Sequence, residues 1–431
     1  MMHDDAVLHD VAERALALMR AQGFDEAQVD ASSKRHDEVN IAHDEPSLLR
    51  STETQRVALL GIVDGRKAST ELTEVDDASL RERIASLAAD AGSAPRDDAN
   101  AVSSAQRSRI VQGPQQGDLA LLADTVRELL EFRARETPQF RLEEGYAAHT
   151  LLRSCTLTSR GSDLACSAGW YAINAFGTAR DGQAASSFNH AGGATHDLAD
   201  HAVQDLFGIE AMLRDTVRQI HTQPVGEKFV GEVVLTPGAV EDLLGWLHGQ
   251  IGDLQLIAGS SLYRDKVGSA IASPLLTLKS RFDAPGVVAQ SADAFVAQPL
   301  DVLRAGVLVT LTPTLYGSRK TGLPHVPVAS GGGWELVAGT TPRAEVIAGV
   351  ARGALVGRLS MGRPAANGDF SAVIKNSFAI RDGALGPALA ETMISGNVAH
   401  MLRDVSAVSR ERLDTGATLL PWLRVGGLHF S

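Results

Sequence analysis

The sequence predicts an α+β protein: an N-terminal α/β domain followed by a β-rich, barrel-like C-terminal domain with embedded helices. Three observations carry this. Apolar residues recur at helical spacing over 6–22, 80–90 and 118–133. Around the first two of these, 28–41, 48–54, 56–64 and 67–72 alternate as strands do. Beyond Lys228, valine-rich runs punctuated by glycine and proline dominate.

The elements follow in order. Gly23 closes the first helix as a C-cap. Asp64-Gly65 is a hairpin turn leading into the strand 67–72. A second helix over 80–90 ends a first domain at residues 1–92. Residues 93–117, rich in Ser, Ala, Gly, Gln and Asp, read as a linker or long loop. A middle segment, 118–225, holds a helix, a β-meander over 141–180 and a long helix from Thr195 to Ile220. The C-terminal β-rich domain spans 226–431, with a helix over 342–356, a short one within 394–404 and a closing strand over 423–430.

At 431 residues the chain exceeds one ordinary core. A net charge of −12 argues against a nucleic-acid surface and against docking on anionic lipid. No apolar run approaches the ~18 residues of a membrane span, and the start MMHDDAVLHD lacks the features of a secretory signal. Cytoplasmic residence is the expectation. Cys155 and Cys166 flank Arg160-Gly161 symmetrically, so a two-residue hairpin there sets their sulfurs opposite each other. That allows a redox pair; two small strand residues in a reducing cytosol is the simpler reading.

The stretch organising the chain is Val233–Ile251. Val233 to Leu235 end a buried strand, Thr236 stands at a helix N-cap, and Pro237 follows at the first helical position. Val240, Leu243, Leu244, Leu247 and Ile251 form one apolar stripe. The polar face carries Gly245, Trp246, His248 and Gln250, and a lone histidine is no metal site. His196 and His201, ~140° apart on a helix, are an alternative pair, but Asp197 and Asp200 beside them suit a helix start and no third ligand is near. Gly331-Gly332-Gly333 is a turn rather than a phosphate loop, since no Lys-Ser/Thr follows. Neither a Gly-x-Ser-x-Gly elbow nor His-Glu-x-x-His occurs.

Several blocks together resemble the TldD/PmbA family, named as modulators of DNA gyrase: IVDGRKAS at 62–69, VVLTPG at 233–238, DKVGSAIASPLLTL at 265–278, YGSRKTGLP at 316–324, RGALVGRLSMGRPAANGDFS at 352–371 and ISGN at 394–397. The resemblance implies a metalloprotease acting on unfolded peptides as a heterodimer of two homologous branches. One branch, TldD, carries His-Glu-x-x-x-His on the helix after VVL-x-P-G and a cysteine ligand near the C-terminus; the TldE/PmbA branch does not. Aligned on Leu243-Leu244, the six motif positions here are Gly245, Trp246, Leu247, His248, Gly249 and Gln250, and no cysteine follows Cys166. The expectation is a TldE/PmbA-like subunit without metal or other cofactor, zinc residing in a TldD-type partner. The alternatives are a stand-alone homodimer that binds peptides and a metallopeptidase with its metal relocated to His196/His201. His248, Arg319, Arg358, Arg363 and Asn397 are candidates for the cleft or the partner interface.

Overall fold

A computed structural model describes residues 2–390 and 392–431. Two sheets organise them. The first contains β1 (Glu26–Ala42), β2 (Glu45–Val63), β3 (Arg66–Leu72), β4 (Arg107–Gln112), β5 (Phe140–Thr158) and β6 (Asp163–Asp181), in the order β3-β2-β1-β5-β6-β4, of which β1, β2, β5 and β6 are unusually long. Strand Asn189–Thr195 adds to the far half of β6.

Helices cover one face of this sheet. Residues of one parity in β1 point the same way. Val29 and Ala31 pack with Leu59 under α1 (Met2–Gln22) and α2 (Asp77–Ser93). Val39 and Ala147 pack under α3 (Leu119–Glu136) and α4 (Ile209–Arg218). The α2 and α3 starts are capped by the Asp76 and Asp118 carboxylates, each accepting from two backbone N–H groups.

The second sheet has fourteen strands, and its order runs between two open ends rather than closing into a barrel. Its centre is Phe229–Leu235, antiparallel to Thr418–Phe430 and parallel to Arg352–Val356. Parallel neighbours want a fully buried, continuous apolar strand, and Val233, Val234 and Leu235 have no solvent exposure. The helix that follows, α5 (Pro237–Ile251), lays the stripe Val240, Leu243, Leu244, Leu247 and Ile251 into the largest core. Thr236 occupies the N-cap position, but its hydroxyl donates to the Gly357 carbonyl (2.9 Å) instead of capping the helix.

Several expectations are corrected. Residues 45–63 form one strand rather than the two expected over 48–54 and 56–64, because β1 pairs along its whole length. The stretch 93–117 contains β4, parallel to β6, and the first sheet draws strands from both sides of residue 92. Thr195–Ile220 is not one helix: Thr195 ends a strand, its hydroxyl and the Asp197 carboxylate accept from nearby backbone N–H groups, and α4 starts only after Gly208 turns left-handed. The helix over 342–356 stops at Ala348, because 352–356 is claimed by the sheet. There Gly353 passes so close to the Glu232 carbonyl that a Cβ would sit 1.8 Å from it. Ile394–Asp404 divides into a strand to Asn397 and a helix Val398–Arg403.

The cysteines are not opposite each other. The hairpin turns one residue away from the expected position, pairing Cys155 with Ala165 and Cys166 with Ser154. A one-residue slip reverses the face. Cys155 therefore joins the core under α1 and α2, and Cys166 packs with Ala168 and Val288 on the other side. Burial pushes their thiols up to about 12 and about 11.

Candidate functional site

The polar face of α5 is occupied by the protein's own backbone. Gln250 is 1% exposed. Its Nε2 donates to the Ala366 carbonyl (2.9 Å) and its Oε1 accepts from the Leu262 N–H (2.9 Å). One turn earlier Trp246 donates from Nε1 to the Ala365 carbonyl at 3.5 Å and meets the Tyr263 ring edge-on at 6.0 Å. The chain passes under the indole at Gly368, where a Cβ would lie 3.2 Å from the Trp246 ring. Thus the loop through Ala365, Ala366 and Gly368 lies over the helix, fastened by the two side chains at motif positions.

These positions do not fit a metal. Gly245 has no ligand atom, the indole N–H is donor only, and both ends of the Gln250 amide are spent. His248 does not substitute. Its ring lies 4.3 Å from that of Trp334, its Nε2 is buried without a partner, and burial holds its pKa down to about 4.

The remaining candidates disperse. Asn397 is structural: its Oδ1 caps the helix Val398–Arg403 at His400 N, while its Nδ2 donates to Asn367 O and Asp369 Oδ1. Arg319 reaches back to the segment before β4, donating to the Asn100 carbonyl (3.2 Å). Arg363 is exposed on the loop over α5. His196 sits beside Gly113, and His201 is exposed; without a shared helix, nothing draws them into one site. Among the described residues, the one gathering of three ligand-type side chains is His9, Cys155 and Asp163. There both Asp163 oxygens already accept from Arg109 at 2.8 Å, and the buried thiol holds its proton.

Arg358 belongs elsewhere. It lines a cleft of about 830 Å³ between the two sheets, into which the start of α5 opens at Thr236, Pro237 and Gly238. Its Nη1 donates to His190 Nδ1 (3.3 Å), and burial together with that guanidinium keeps His190 below its usual range. The walls are largely apolar and include Phe207, Phe378, Leu413 and Trp422. Of the side chains singled out in the sequence as cleft or interface candidates, only Arg358 lines this cleft, because its walls come from segments as distant as Asn189 and Trp422.

Comparison with known proteins agrees with this architecture. Residues 229–431 match the PmbA/TldA metallopeptidase C-terminal domain. No match is found among curated proteins. Among solved structures, TldE from Thermococcus kodakarensis aligns with a TM-score of 0.81 at 18% identity, covering 98% of this chain and 100% of that one. A candidate modulator of DNA gyrase from Bacteroides thetaiotaomicron aligns at 0.86 with 19% identity and 98% of both chains, and another from Thermotoga maritima at 0.80 with 16% identity, covering 98% and 100%. Residues 229–431 thus belong to the PmbA/TldA metallopeptidase C-terminal domain family, and the whole chain shares the fold of these three structures.

Proposed function

We propose that this chain is a TldE/PmbA-like subunit, without proteolytic activity of its own, that works with a TldD-type homologue on unfolded peptides. One observation carries the reading: at the positions matched to the zinc motif, Trp246 and Gln250 hold the chain's own loop, so α5 is used to fix structure rather than to hold an ion. A catalytic zinc site needs three protein ligands and an open position for water. In the pair, zinc would reside in the partner, where it would polarise the scissile carbonyl and activate water. This chain would contribute sheet edges, which accept extended backbone of any sequence.

The test is reconstitution. Co-expressed with a homologue carrying His-Glu-x-x-x-His, the chain is expected to co-purify with it, and the pair to cleave an unfolded peptide that this chain alone leaves intact. Peptide cleavage by the isolated chain, inhibited by chelator, would overturn the assignment; so would failure to associate with any such homologue.

A further inference from the structure

The cleft at the start of α5 carries features that pairing with a metal-bearing subunit does not use. It is concave, mostly apolar and of the size that small ligands occupy. Four arginines line it, Arg214, Arg218, Arg343 and Arg358, against two acids, Asp215 and Glu241. Arg214 is bound to Glu136 and Glu210, and Arg218 to Asp215. Arg343 lies over the Trp422 ring (5.0 Å) and Arg358 contacts His190; neither forms an ion pair among the described residues. Neither guanidinium is thus paired at ion-pair distance, although Asp215 feels the charge of Arg343 and Asp242 that of Arg358.

The backbone adds to the same field. The Thr236 hydroxyl is turned to Gly357, so the first turn of this 15-residue helix has no side-chain cap where it opens into the cleft. An uncapped helix start carries about half a positive charge. Independently, Gln219 lines the cleft, is 3% exposed, and has an Nε2 without a partner; its Oε1 is taken by Asn376 Nδ2 (3.0 Å). A buried donor without an acceptor costs roughly 1–3 kcal/mol, and here it borders an empty space flanked by positive charge.

We propose that this cleft binds a monocarboxylate with an apolar body. The carboxylate would sit between Arg358 and the start of α5, and the body would lie among Phe207, Phe378, Leu413 and Trp422. Glu241, at the same helix start, offsets part of the positive field, which favours a single negative charge over a phosphate dianion. A free fatty or aryl acid and the C-terminus of an apolar peptide share this chemistry. The proposal stands whether or not the chain pairs with a TldD-type subunit.

Isothermal titration of the full chain tests it with decanoate, decanol, decyl phosphate, and N-acetyl-dileucine as acid and as amide. The expected result is that at least one carboxylate binds, at least about tenfold tighter than its neutral counterpart, and that Arg358→Gln abolishes that preference. Arg127→Gln, on the α3 surface outside the cleft and paired with Asp124, should leave binding within about twofold. Unchanged thermal unfolding verifies that each variant is folded. Whether decanoate or the peptide acid binds tighter identifies the source of the carboxylate. Absence of binding by either acid overturns the proposal. So does equal binding of acid and neutral probe, an unchanged preference in folded Arg358→Gln, or tighter binding of decyl phosphate.

Discussion

The Tyr316 hydroxyl donates a 2.8 Å hydrogen bond to Asp97 Oδ2, joining residues 219 positions apart. Lys320 Nζ reaches the same carboxylate (2.8 Å), and Arg319 bonds Asn100 beside it. The YGSRKTG block thus clasps the segment 97–100, itself bonded to the Gly65 carbonyl at the β2–β3 turn of the first sheet. Lys320 foremost, then the Ala99 N–H and the Tyr316 hydroxyl, hold the Asp97 carboxyl down to about 2.

Tyr316→Phe removes one of these bonds, so the Asp97 carboxyl should titrate at a higher pH, read by NMR. Because the folded value is depressed, the clasp's contribution is complete above the ordinary carboxylate range of about 4 and is lost as pH falls towards 2. Limited proteolysis of 93–106 should accelerate in the variant; an unchanged cleavage rate would mean the clasp does not restrain that segment.

Gln250→Leu leaves the Leu262 N–H and the Ala366 carbonyl without their buried partner. The loss should be about 2–4 kcal/mol in denaturant unfolding. Hydrogen exchange should rise at Leu262. A variant as stable as the parent would remove the basis for calling this side chain a loop fastener.

His248 carries a pH dependence of definite sign. With its folded pKa down at about 4, the unfolded chain binds the proton first as pH falls through the ordinary value near 6.5. Stability should therefore drop between pH 6.5 and pH 4, by up to about 3 kcal/mol from this group. His248→Phe should flatten that part of the curve; parallel curves for the two proteins would contradict the assignment.

The buried thiols predict inertness. Cys155 and Cys166 should resist an aromatic disulfide reagent in the native protein at pH 8 and react together on unfolding, since reactivity follows the thiolate. Mild oxidation should form no intramolecular bridge, because the sulfurs lie on opposite faces of the sheet.

Gly353→Ala should be severely destabilising. Its Cβ would stand 1.8 Å from the Glu232 carbonyl inside the parallel pair at the centre of the second sheet, where neither backbone can yield. Loss of soluble protein is the expected readout. Gly249→Ala, on the same α5 that follows this strand but in open space, should be tolerated.

Local chemistry determined much of this protein from sequence alone. The α5 stripe, the Asp64-Gly65 turn and the long alternating strands were legible because helix and strand periodicities and turn preferences act over a few neighbours. The family-like blocks from 233 to 397 fall within the part that matches the PmbA/TldA C-terminal domain. What remained hidden were choices made between distant segments. Whether 352–356 finishes a helix or joins a sheet depends on Glu232, 120 residues away. Which face each cysteine takes depends on a single residue of hairpin register. The use of Trp246 and Gln250 as anchors depends on a loop more than 100 residues later in the chain. The cleft is the extreme case: it exists only where the two sheets meet, so tertiary packing alone determined it.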